Sequence, residues 1–306
     1  MKKQLSLLVY LIGTSCVLGQ IRYETVRDNP DFIPFLNINL QYFDTDVSLR
    51  TIDAINFNAS VWGNFEPVNG LGVDFRIRRS YLTMGQLAYD DHMHFQNYEV
   101  GAYYKIGGGT VRKPTKVVLE ADQYDDYYEN VRVYTSTSIV IPALRRRDFL
   151  VRGGFYNLAS PIDIEELEDD FGQSPFTESL GRARNTGLYG GIALRSITNV
   201  FVNTEQFGYQ FNSHATLVYF DALITGTRIY DPWAPEMDLS DQAKDAIGSL
   251  PIGFRFGMSG FQIEQKKYTN KKFGMSYNFE AGYRNYMGWY ISGGLGLTIL
   301  KWNKND

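Results

Sequence analysis

The residues of this chain that could do chemistry are charged side chains set at every second position. Gly72–Met84 places Asp74, Arg76 and Arg78 between Val73, Phe75 and Ile77. Glu99 and Lys105 alternate with Tyr98, Val100, Ala102, Tyr104 and Ile106, and Glu280 and Arg284 with Phe279, Ala281 and Tyr283. Successive side chains of a strand point to opposite faces, so each segment sets a polar face against an apolar one. Charges of both signs gathered on one enclosed face either pair with each other or line a path for ions. The candidate network comprises Asp74, Arg76, Arg78, Glu99, Lys105, Arg132, Arg152, Arg195, Asp221, Arg255, Glu280 and Arg284. With Lys116, Glu120 and Asp122 the inward set counts nine bases and six acids. A salt-bridged interior that fixes strand register is the main reading of such a mixture. A narrow channel with weak anion preference is the alternative.

Other chemistries find little support. His92 and His94 fall on one side of an extended segment, but two imidazoles fall short of the ligand set of a zinc site. His214 begins a strand, and no G-x-S-x-G elbow exists to supply a nucleophile. Gly107–Thr110 (GGGT) lacks the Lys-Ser/Thr ending of a phosphate loop and reads as a flexible turn. Arg145–Arg147 is the one basic cluster, too small for nucleic acid and suited to a periplasmic turn. The run Ile162–Pro175 concentrates carboxylates without the spacing of a calcium loop, so it reads as a solvated acidic loop. In Tyr230–Pro251, Tyr230 and Trp233 are candidate anchors for a partner. No enzymatic activity, cofactor or metal is expected.

The elements that must position the charged face recur along the whole chain. About twelve alternating segments lie near 34–43, 54–65, 72–84, 96–106, 116–124, 130–141, 148–157, 186–198, 214–226, 251–263, 272–284 and 288–300. Most run longer than the ~5–6 residues of ordinary strands and match the ~9–11 that a tilted strand needs to cross a bilayer. The expected fold class is all-β, a transmembrane antiparallel up-and-down barrel of about 12 strands, with 10 or 14 as alternatives. Closure removes edges whose unpaired backbone groups lipid cannot satisfy. The two longest links, 158–185 and 227–250, fall at odd junctions, as extracellular loops do when both termini are periplasmic. Asn69-Gly70 marks a short turn between segments. The link 199–213 is longer than a turn and fits either an extended hairpin or a count that is off by one pair.

Composition agrees with a β-rich chain. Tyr (22), Phe (20) and Gly (29) are abundant among 306 residues while mean hydropathy is slightly negative, at −0.27, which argues against a helical membrane protein. Residues 1–19 differ in kind: Lys2 and Lys3 precede an apolar run and then small residues, the pattern of a secretory signal that ends before Gln20. Removing it takes the formal charge from −4 to about −6. The single cysteine, Cys16, goes with it, so neither disulfides nor thiol chemistry are expected in residues 20–306, read as one barrel domain.

The Gln20 start after a short signal, the ending GWYISGGLGLTILKW and the stretch TGLYGGIALRSITNVFVNTEQFGYQFNSHATLVYFDALI resemble outer-membrane β-barrel proteins of Bacteroidota-type bacteria. The chain departs from the usual pattern at its end, where Asn303–Asp306 follow Trp302, which places an insertion signal near Trp302. The resemblance implies the outer membrane of a Gram-negative bacterium, with the lipid bilayer and lipopolysaccharide as partners. Another outer-membrane or periplasmic protein is a further candidate partner, and nucleic acid is not. Interfacial aromatic girdles would draw on Trp289, Tyr290, Tyr283, Tyr98, Tyr104 and Trp302. Two functions are carried forward: a structural or accessory subunit of an envelope complex with a largely salt-bridged lumen, and a narrow passive, porin-like channel for small solutes.

Overall fold

The computed structural model describes residues 21–49, 55–84, 95–126, 131–163, 180–232, 251–263, 273–284 and 288–302, with backbone alone at 123–126, 131–134, 161–163, 180–183, 228–232 and 300–302. These residues form eleven strands: β1 (Tyr23–Asp28), β2 (Leu36–Ser48), β3 (Ile55–Val68), β4 (Leu71–Met84), β5 (Gln96–Asp126), β6 (Val131–Asp163), β7 (Leu180–Thr204), β8 (Gly208–Pro232), β9 (Ile252–Gln262), β10 (Gly274–Arg284) and β11 (Gly288–Trp302). Each of β2–β11 pairs with its sequence neighbours, and β11 returns to β2 from Tyr290↔Ser48 to Trp302↔Leu36. The result is a closed antiparallel barrel of ten strands, with β1 outside the ring.

Ten is one of the alternatives to the twelve first expected, and two misread breakers explain the difference. Gly107–Thr110 lies inside β5 and Pro142–Arg147 inside β6, so four expected segments are two long strands. Arg145–Arg147 pair with Ser196–Thr198 of β7 instead of forming a turn. Gly108 has φ +129°, and a Cβ there would run into the Arg147 carbonyl of β6. That glycine lets two backbones approach closely, a use as characteristic of the residue as turning a chain. Residues 199–213 form a hairpin turning at Glu205–Phe207, where Thr204 Oγ1 accepts a hydrogen bond from the Phe207 amide at 3.0 Å.

The chain divides into two compact units. One comprises Pro30–Val111, Arg145–Thr198 and Ser213–Asp306 and contains the barrel. The other comprises residues up to Asn29, Arg112–Leu144 and Asn199–Asn212. In this smaller unit β1 pairs with β7 from Tyr23↔Thr204 to Asp28↔Val200. Val117, Leu119, Ile141, Ala143, Val200 and Val202 make its core.

The barrel wall is apolar on the outside. Phe43, Ile192 and Leu295 are 68%, 63% and 62% exposed, and every ring strand contributes large exposed apolar side chains. A soluble barrel turns that face inward; here the inward face is polar, with Asn37, Asn39, Gln41, Asn58 and Ser60 among the buried residues. Phe254, Tyr283 and Trp289 form an outer aromatic cluster, with ring centroids 5.4 to 6.4 Å apart. Tyr290 departs from the expected girdle. The alternation that sends Trp289 out turns its neighbour in, and Tyr290 is buried in the interior.

Candidate functional site

The barrel interior is an ion-pair network whose described members come from nine of the ten ring strands, β2 to β10, and from far apart along the chain. At the end where β2 begins and β11 finishes, Glu66 of β3 holds Arg195 of β7 through both carboxylate oxygens. Arg195 also reaches Asp148 of β6 at 2.9 Å, and Asp148 takes Lys105 at 2.7 Å and Arg146 at 2.8 Å. Arg146 further meets Asp31, which precedes β2, at 3.1 Å. The tight Asn69-Gly70 turn belongs to this cluster, because the Gly70 amide donates to Glu66 at 2.7 Å and Arg146 donates to Asn69 at 2.5 Å.

A second cluster spans the middle of the barrel. Arg152 pairs with Asp74 at 2.8 Å, Arg255 pairs with Asp221 and Glu99 at 2.8 Å each, and Arg76 reaches across to Glu280 at 3.0 Å. Tyr219 donates to Glu280 at 2.8 Å, and Tyr290 donates to its other oxygen at 2.7 Å. The Arg152 and Arg255 guanidinium groups also lie over the rings of Tyr189 and Tyr219, within 4.4 to 5.7 Å of the centroids. Inner-face glycines make room for these rings: a Cβ on Gly101 would collide with Tyr189, and one on Gly257 with Tyr219.

The third cluster lies toward the far end. Arg284 grips Asp46 through two hydrogen bonds of 2.9 and 2.7 Å and lies 3.4 Å from the centroid of the Tyr290 ring. Arg78, fully buried, pairs with Asp44 at 2.9 Å and donates to Ser292 at 3.2 Å.

Of the residues expected in the network, the structure brings Asp74, Arg76, Arg78, Glu99, Lys105, Arg152, Arg195, Asp221, Arg255, Glu280 and Arg284 into ion pairs inside the barrel. Arg132 belongs to the smaller unit, and its side chain lies outside the described residues. Lys116, Glu120 and Asp122 correct the expected inward set, since they are exposed residues of the smaller unit. Trp233, the Tyr230 side chain, His92, His94 and the carboxylates from Glu165 to Asp170 lie outside the described residues.

Asp44, Asp46, Glu66, Asp148 and Arg146 were not foreseen. Asp44 and Asp46 follow a bulge in which β2 steps from Gln41 to Asp44 against β3. The bulge sends Tyr42 and Phe43 both outward and flips the parity, so even-numbered residues face in beyond it. Asp148 and Arg146 share the parity of Arg152, a signal hidden by the turn assigned there. With these additions the described pairs join eight bases to eight acids of the ring strands, and the expected excess of base disappears.

Between the first two clusters lies a cavity of about 80 Å³ walled by Trp62, Leu150, Leu217 and Phe261, with Ile33 from the segment before β2. A smaller one of about 20 Å³, lined by Asn97, Tyr156 and Tyr290 among others, lies toward the far end. Glu99 borders both, so the middle cluster separates them. No protein-family model matches this chain, and no curated protein matches it.

Proposed function

We propose that this chain is an outer-membrane β-barrel of a Gram-negative envelope that serves as a structural or accessory subunit and not as an open pore. The observation that carries the reading is the even pairing of the interior, eight acids of the ring strands to eight bases joined strand to strand, six of the acids buried. A conducting lumen keeps charges wet and lines them in one sign where it selects. Here the fully buried Asp44 and Asp221 are held by Arg78 and Arg255, which joins β2 to β4 and β8 to β9. The apolar outer wall supports lipid as the surrounding solvent, because an exposed apolar surface this extensive is rare on soluble monomers.

Planar-bilayer recording on residues 20–306, with folding established by heat-modifiable gel migration, tests the proposal. Folded protein should insert without steady conductance and should migrate, after mild solubilisation of the native membrane, as part of an assembly larger than one chain. Steady openings whose size changes on neutralising Arg78 or Arg284 would replace it with the narrow-channel reading.

A further inference from the structure

The cavity beside the middle cluster has the chemistry of a ligand site, and this goes beyond the accessory role and does not depend on it. Its walls are apolar and aromatic, from Trp62, Leu150, Leu217 and Phe261. Its charged lining consists of Arg76, Arg152 and Arg195 against Asp74 and Glu99, one positive charge in excess. Two buried polar atoms of lining residues have no hydrogen-bond partner among the described residues, Trp62 Nε1 and Arg152 Nε, and both are donors. The Asp221 carboxylate is 3.7 Å from Arg152 Nε, beyond hydrogen-bonding reach. The ring of Tyr219, 4.4 Å from the guanidinium carbon, and the ion pair to Asp74 hold that side chain in place. Buried donors left unmet cost free energy, so an occupant that accepts hydrogen bonds is favoured over one that donates them.

We infer that this cavity binds a small carboxylate with an apolar body, an aryl or short alkyl acid. The body lies against Trp62, Leu217 and Phe261, and the carboxylate accepts from the unmet arginine donor. The volume suits this class: at the ~10–15 Å³ that one water needs by the same measure, the cavity has room for roughly six waters, about the bulk of a benzoate or hexanoate.

Isothermal titration of the folded full-length chain in detergent micelles with benzoate, benzylamine and methyl benzoate tests the inference. Benzoate should saturate at one per chain and bind about tenfold or more tightly than benzylamine, with methyl benzoate between them. Trp62→Phe, which keeps an aromatic wall and removes the indole donor, should retain saturable benzoate binding, because the carboxylate accepts from Arg152. Ala193→Phe, on the cavity lining, fills the space and should abolish binding with heat-modifiable migration retained. Leu217→Trp repeats that block should the first variant misfold. Absence of saturable benzoate binding, equal binding of the amine, or binding unchanged in both filled variants would overturn the inference.

Discussion

Glu280 shows how the interior works at the scale of one residue. Its two oxygens receive Arg76, Tyr219 and Tyr290, and Arg255 stands 3.6 Å away. A carboxylate so buried is tolerable only because its partners replace the lost water. Removing one member strands the others, which costs more than the pair contributes net. Glu280→Ala should therefore lower stability by about 3–5 kcal/mol, against about 1.5–3 kcal/mol for Tyr290→Phe, which deletes one hydrogen bond to a charged group. Urea unfolding in micelles, followed by tryptophan fluorescence, measures both. A loss below ~1 kcal/mol for Glu280→Ala would mean that the network is bathed in water. The partners of Glu280 were legible only in part. Period-two spacing pointed Arg76, Arg255 and Glu280 inward, but Tyr290 was expected at an interface, because an aromatic beside Trp289 resembles a girdle until the pleat is followed through it.

Glycine decides matters at the scale of the strand. Three successive glycines at 107–109 look like a turn, yet β5 runs straight through them. Their roles differ: Gly108 combines φ +129° with the close approach of β6, whereas nothing lies near a Cβ placed on Gly109. Gly108→Ala should destabilise the barrel by about 1–3 kcal/mol, since an L side chain meets both backbone strain and the Arg147 carbonyl. Gly109→Ala should be neutral or stabilise by about 0.5–1 kcal/mol, because the substitution only reduces the freedom of the unfolded chain. Thermal gel-shift midpoints of the two variants against the parent give the comparison. Equal effects would remove the assigned role of Gly108. A local rule reads Gly and Pro as breakers, but in a sheet the neighbouring strand decides whether a chain that could turn continues instead.

At the scale of the whole molecule the apolar wall separates a membrane barrel from a soluble one. Leu295, on β11, is 62% exposed and flanked across the wall by Phe43 and Tyr277. In lipid, Leu295→Arg should cost about 2–4 kcal/mol near the midplane. In water, a substitution at so exposed a position should stay within about 0.5 kcal/mol. Reversible unfolding in bilayers of defined thickness measures the difference. A near-zero change with the chain folded in lipid would remove the wall from contact with acyl chains. The interior balance is also a property of the whole. Nine bases to six acids, counted along the sequence, becomes eight to eight once Lys116, Arg132, Glu120 and Asp122 fall in the smaller unit and Asp44, Asp46, Glu66, Asp148 and Arg146 enter the barrel.

Alternation by itself determined that this is a closed antiparallel barrel and which face of most of its strands is polar. The pleat carries that information residue by residue and needs no knowledge of neighbours. Tertiary structure alone decided how many strands close the ring, where a bulge reverses the inward parity after Gln41, and which acid each arginine meets. Those outcomes depend on hydrogen-bond partners supplied by strands as distant as β2 and β10, which bring Asp46 to Arg284 and leave an aromatic-walled cavity beside the arginines of the middle cluster.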